Sequence, residues 1–265
     1  MIESRKALLD ALDALQAHLG AVVLVGAHTV YMHTSAVSTP VADMKKDADL
    51  ALNMSLLGAA PLIELVLQKS GFHLGSNPGS WLSQSGVHVD LMVPEGLTIR
   101  SGRGAGVAPH ATYSARNTAG IEGCLVDNSM MKVGSFETED IRSFEILVAG
   151  PSALLIAKAH KIGERIDIHR PIDNKDAHDV YKILRAVATQ TLAATMRIIL
   201  ETELSGASTK KGLNYIKVLF ADGVDSPGSQ MAGAAERDFG NSEFVSNSVS
   251  FLARDLLEAI DSNHA

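Results

Sequence analysis

The sequence predicts an α+β protein, a mixed sheet flanked by helices with a helical C-terminal region. Three observations predict this class. Short apolar runs of β type are interleaved with amphipathic stretches as far as Gly150. Polar and apolar residues alternate over Asp47–Asn53 and again over Val87–Val93, the period of a half-buried strand. After Gly150-Pro151 the spacing is helical through most of the remaining chain. The 265 residues are 46% hydrophobic and 20% charged, enough for a sizeable core in one large or two modest domains. The boundary falls near Gly150, giving an α/β domain over residues 1–150 and a helical domain over 151–265.

Taken in order, Leu8, Leu9, Leu12, Leu15 and Leu19 recur at helical spacing and Gly20 stops that helix. Ala21–Val25 is a short strand ending at Gly26, and a second helix begins near Ala27. Ser35–Asp43, interrupted by Pro40, is a loop. A strand over Asp47–Asn53 precedes a helix over Pro61–Lys69, with proline near its start. Trp81–Val93 reads as two strands around Ser85-Gly86. Gly96–Gly123, rich in Gly, Arg, Ser and Thr, is mostly loop, and Ile121–Val133 and Arg142–Val148 supply the last strands. Helices follow over Pro151–Arg165, Asn174–Val187, Leu192–Leu204 and Phe244–Ile260, while Ser205–Gly240 resists assignment.

A net charge of −7 argues against non-specific coating of nucleic acid, though not against a local basic channel. The lone cysteine, Cys124, excludes an intrachain disulfide and fits a reducing cytoplasm. No apolar run approaches the roughly 20 residues that span a bilayer, and the N-terminus lacks a signal-peptide core. A cytoplasmic protein without a membrane partner is expected.

Three pieces carry the chemistry. Val22–Val25 runs into Gly26-Ala27 and a helix, a turn whose amides can approach a phosphate. Asp47 and Asp49 lie two apart in a strand and so share a face, with Leu50 and Leu52 toward the core. Carboxylates held this close repel unless a cation lies between them, which suits Mg²⁺, a hard ion that prefers oxygen. Asp90 interrupts the apolar strand Val87–Val93, on the face opposite Val89, Leu91 and Val93. A buried unpaired carboxylate is costly, so Asp90 should face water or a cation. Each piece alone also reads as an ordinary turn or solvated strand edge.

Strand–Gly–helix, then Asp-x-Asp, then one later Asp is the order of the DNA polymerase beta-like nucleotidyltransferase superfamily. Within it the chain resembles the AbiEii-like family, which includes toxins of bacterial toxin–antitoxin pairs. The likeness is carried by Val25–Val30 with His33, by Trp81–Pro94, and by Lys158–Arg165 followed by Lys175–Tyr181. It implies a nucleotidyltransferase that moves a nucleoside monophosphate from a triphosphate to an acceptor hydroxyl, on a tRNA 3′ end or a protein. It also implies an antitoxin protein as partner. Asp47, Asp49 and Asp90 would hold Mg²⁺; Gly26, Ala27, Lys46 and Lys161 would attend the nucleotide. Lys158 would contact phosphate and Asp176 would support it or the metal.

Lys158, Lys161 and Arg165 fall on one helical face, so a solvated salt-bridge network is an equal reading of that signature. Departures from the family pattern are Ala27 where relatives commonly carry Ser or Gly, and a long interval from Gly26 to Asp47. These keep open a catalytically inactive protein that binds nucleotide or a partner on the same fold. A metal-dependent hydrolase using the same acids is a third reading. The histidines show no zinc spacing, and Ser101–Gly106 lacks the strand and helix of a dinucleotide fingerprint.

Overall fold

The computed structural model describes residues 2–36, 47–98, 103–168, 170, 174–238 and 240–262. The chain is α+β, as its periodicities predict, and it forms two compact units. The first comprises Met1–Thr29, Asp43–Ala119 and Asn128–Ala149; the second comprises Val30–Ala42, Gly120–Asp127 and Gly150–Ala265. The chain thus crosses into the helical unit before Gly150 as well as at it.

The first unit is built on an open sheet of eight strands among the described residues. These are β1 (Val22–Val25), β2 (Ala48–Leu52), β3 (His73–Leu74), β4 (Ser80–Leu82), β5 (His88–Pro94), β6 (Arg116–Thr118), β7 (Asn128–Gly134) and β8 (Ser143–Ala149). The order is β3-β4-β5-β2-β1-β8-β7, with β6 also paired to β5. Strands β2 and β5 run parallel, as do β1 and β8 and also β5 and β6; β1–β2, β3–β4, β4–β5 and β7–β8 are antiparallel. Leu24, Leu50, Leu52, Val89, Leu91 and Val93 are fully buried, so the alternating acids are the outward half of a pattern whose inward half is core.

Helix α1 (Ile2–Ala14) packs on β2, β5 and β8 through a stripe that includes Leu8, Leu9 and Leu12. It is shorter than its leucine spacing predicts. Gln16–Ala21 tightens into a 3₁₀ turn, where the His18 imidazole bonds the Pro61 carbonyl at 2.7 Å. Helix α2 (Gly26–Thr34) leaves β1 directly, and α3 (Ile63–Lys69) precedes β3. Residues Glu122–Leu125 form a 3₁₀ turn where an apolar run predicts strand, and the strand proper begins at Asn128. Within Gly96–Gly123 the loop contains β6 and a bridge between Gly104 and Arg116.

The second unit is helical. Helix α4 (Pro151–Gly163) begins with Gly150 as N-cap and Pro151 in the first turn. Its Ala153 amide donates to the Asp127 carboxylate at 2.9 Å. Around α4 pack α5 (Asn174–Ala186), α6 (Thr189–Glu201) and α7 (Gly206–Ile216). Ser205–Gly240 resolves into α7, a wide π turn over Lys217–Ala221, and α8 (Pro227–Ala234). Helix α9 (Ser242–Asp261) buries Val245, Val249, Ala253, Leu256 and Ile260 against its neighbours, so its apolar stripe is core. Phe244 and Phe251 lie outside that stripe and are exposed.

Candidate functional site

The register of the sheet assembles a row of side chains from separate strands. Asp49 of β2 pairs with Val25 of β1 on one side and with Asp90 of β5 on the other, and Asp90 in turn faces Ser80 of β4. Register partners in a sheet share a face and stand on strands about 4.8 Å apart, so the two acids leave the same face of adjacent strands. The third acid, Asp47, lies one residue ahead of β2 and is exposed.

Gly26 closes this row at the start of α2. Its φ is +69°, and a Cβ built on it would overlap the Asp49 carboxylate. The glycine is therefore required twice, by the left-handed backbone and by the approach of Asp49. An acid beside the first turn of a helix is favoured by the amides exposed there. Gly26, Ala27, Asp49 and Asp90 are all partly exposed, so solvent and small ligands reach the row.

Asp90 has a partner that the sequence does not announce. Arg116 Nη1 lies 2.7 Å from Asp90 Oδ2, and Nη2 donates to the Met92 sulfur at 3.3 Å. The other carboxylate oxygen, Oδ1, is shielded from solvent and has no hydrogen-bond partner among the described residues. His88, on the same face of β5, is bonded to Ser80 Oγ at 2.8 Å and serves as a neighbour of the acid. The local signal for Arg116 is faint: Arg116-Asn117-Thr118 is short and polar and is drawn into β6 by its pairing with Met92–Pro94.

The donor set fits Mg²⁺ in kind. It offers carboxylate oxygens only, from adjacent strands, with one Asp90 oxygen lacking a bond. Among the described residues no three His, Cys, Asp or Glu side chains converge on one point. An ion held by two acids fills its remaining positions with water and phosphate, the usual pattern for Mg²⁺ beside a nucleotide.

The C-terminal signature forms a second polar cluster, inside the helical unit. Lys158 of α4 is buried and donates to Asp176 Oδ1 at 2.5 Å and to Asp179 Oδ2 at 2.7 Å, while Lys161 reaches Asp176 Oδ2 at 2.8 Å. Burial opposes the charge on Lys158, and the two α5 carboxylates outweigh it and raise its pKa. Burial likewise opposes the charge on Asp176, and Lys158 with Lys161 hold its carboxyl well below the usual range. The arrangement joins α4 to α5 by a closed set of ion pairs, each oxygen of Asp176 being taken. Arg165 lies beyond the end of α4 and is exposed. Nearby, buried His178 bonds Glu236 at 2.8 Å. Lys46 lies outside the described residues, as do Lys45 and Arg100.

A further polar group, on α3 and the segment after Gly104, is not visible in the sequence pattern. Glu64 accepts from the Ser114 hydroxyl at 2.7 Å and the Ala111 amide at 3.2 Å, and the Ile63 amide donates to His110 Nδ1. Trp81 Nε1 donates to the Ser114 carbonyl at 3.0 Å. These bonds fix the segment that delivers Arg116. Cys124 is wholly buried, and burial pushes its thiol pKa up, as expected of a small core residue.

No protein-family model matches the sequence, no curated protein matches it, and no solved structure matches the fold.

Proposed function

We propose that the protein is a metal-dependent nucleotidyltransferase, which moves a nucleoside monophosphate from a triphosphate to an acceptor hydroxyl. The observation that carries this reading is the register of Asp49 with Asp90, with Gly26 closed against Asp49 at the start of α2. Asp49 and Asp90 would hold Mg²⁺, with exposed Asp47 free to join from the end of β2. When bound, the ion would neutralise phosphate charge and favour the attacking hydroxyl as its oxyanion. Gly26 and Ala27 present backbone amides where the phosphates would lie. Ala27 supplies no side-chain hydroxyl, so phosphate contacts fall to backbone and to basic side chains. By resemblance the acceptor is a tRNA 3′ end or a protein hydroxyl in the cytoplasm, growth inhibition is the outcome, and an antitoxin protein is the partner.

Lys158 keeps its proposed phosphate role only if it parts from Asp176 or Asp179; its present bonds support a role in joining α4 to α5. The second reading, a non-catalytic nucleotide- or partner-binding protein, is favoured by one observation. Arg116 already neutralises Asp90 without a metal ion.

The test is incubation with Mg²⁺, each labelled nucleoside triphosphate, and total RNA plus cell extract, alongside Asp49→Ala. Label on a macromolecule that is lost in the variant supports transfer and identifies base and acceptor. Nucleotide binding without label or pyrophosphate supports the second reading, and free monophosphate without a labelled acceptor indicates a hydrolase.

A further inference from the structure

Arg116 is paired with Asp90, one of the two acids proposed to hold the ion. Its backbone is fixed from two sides. β6 pairs with β5, Met92 opposite Arg116, and the Asn117 amide bonds the Arg103 carbonyl at 3.0 Å across the Gly104 bridge. Gly79, with φ of +73°, passes so close to the Arg116 amide that a Cβ there would overlap it. From this anchor the side chain runs along the sheet face past Met92 and delivers one nitrogen to Asp90 Oδ2. The tip is not locked in: the Arg116 side chain is 31% exposed and that of Asp90 16%. A divalent ion at either oxygen of Asp90, including the unbonded Oδ1, lies beside the guanidinium, and the two cations repel.

We infer that Arg116 is a displaceable counter-ion for Asp90 and, once displaced, a ligand of the nucleotide's triphosphate. The inference rests on the nucleotidyltransferase reading and deepens it. A divalent ion entering at Asp49 and Asp90 releases the guanidinium. The planar fork, still tethered by β6, then meets the phosphates that arrive with the ion. Guanidinium donors match phosphate oxygens in pairs, and this contact supplies what Ala27 lacks. Ion and triphosphate thereby reinforce each other through one side chain, since each favours the position of Arg116 that the other needs. With the site empty, the ion pair keeps Asp90 neutralised and holds free divalent ions off.

The experiment measures Mn²⁺ affinity by electron paramagnetic resonance for the wild-type chain, Arg116→Gln and Arg116→Lys. Each is titrated with and without a non-hydrolysable nucleoside triphosphate. Without nucleotide, Arg116→Gln is expected to bind Mn²⁺ roughly tenfold tighter than wild type, since it removes the competing cation. Addition of triphosphate should tighten Mn²⁺ by about tenfold in wild type and by less than about twofold in Arg116→Gln. Arg116→Lys, which keeps the charge but not the fork, should restore the weaker ion binding and only part of the coupling. Trp81 emission reports that each variant is folded. If wild type binds Mn²⁺ through Asp49, as shown by loss in Asp49→Asn, and both Arg116 variants match it, the inference is overturned and the metal site stands. If Mn²⁺ binds none of these proteins, the metal reading fails and the inference falls with it.

Discussion

The carboxylate of Asp49 lies against the α-carbon of Gly26, leaving no space for a methyl group between them. This contact ties the turn after β1 to the acid of β2 and explains why the first piece of the site must be glycine. Gly26→Ala would meet two penalties, a left-handed φ of +69° and overlap with Asp49. A loss of about 1–3 kcal/mol in urea denaturation is expected, together with a displaced Asp49 and weaker Mn²⁺ binding. An alanine variant with unchanged stability and ion affinity would show that the contact is dispensable.

Lys158 lies between two buried carboxylates, so its removal should be costly. Lys158→Met leaves Asp176 and Asp179 close together without their shared cation, and a loss of about 3–5 kcal/mol is expected. Lys161→Met removes only a half-exposed partner of Asp176, and its effect should stay within about 1 kcal/mol. The two variants are compared by helical circular dichroism during urea unfolding; equal losses would contradict the assignment.

Acid should weaken the helical unit in two stages. Burial holds the His178 pKa below its ordinary value of 6.5, with the Glu236 bond opposing that shift. The unfolded chain then binds this proton more readily, so stability falls as pH drops below 6.5 toward the folded value. The Asp176 carboxyl is held below its ordinary 3.8, so its contribution is complete above that value and is lost as pH falls below it through the folded value. Asp176→Asn should flatten the second stage and leave the first. Stability that stays constant across both windows would refute the pairing.

Trp81 is the chain's only tryptophan and is fully buried in the first unit, so its emission reports on that unit. Glu64 bonds the Ala111 amide and the Ser114 hydroxyl in the same unit. Glu64→Ala should speed hydrogen exchange at Ala111 and Ser114, with a loss of about 1–3 kcal/mol from the unsatisfied groups left behind. Unchanged exchange there would mean that the Trp81 bond and strand pairing suffice to hold the segment.

Asp49 and Asp90 were legible because each breaks a period-two run whose other members are buried, and that pattern needs no knowledge of distant residues. The turn at Gly26 was legible for the same reason, as an apolar strand ending on a residue that admits positive φ. Arg116 reads from sequence only as a loop cation able to reach phosphate; its pairing with Asp90 was not legible, since its strand is short and comes from pairing with Met92–Pro94, more than twenty positions upstream. Ile121–Val126 reads as strand by composition, yet Glu122–Leu125 forms a 3₁₀ turn, because tertiary packing on α4 overrides a local preference. The glycine- and serine-rich start of α7 has weak helical propensity, but Gly212 lets α7 approach Ile156 of α4 closely. Spacing places Lys158 and Lys161 on one face of α4 and allows a salt-bridge network there. The structure has that network with Asp176 and Asp179, though with Lys158 buried and with Arg165 beyond the end of the helix.

The row across β1, β2, β5 and β4 also sets a length. Asp49 and Asp90 stand on hydrogen-bonded parallel strands, so the distance between their backbones is the interstrand spacing of about 4.8 Å, fixed by the peptide ladder. No loop rearrangement can widen it without breaking the ladder itself. For the proposed metal site the separation of the two backbones is therefore fixed, and any adjustment to an ion or a nucleotide would fall to side-chain rotamers and to the segments that border the sheet.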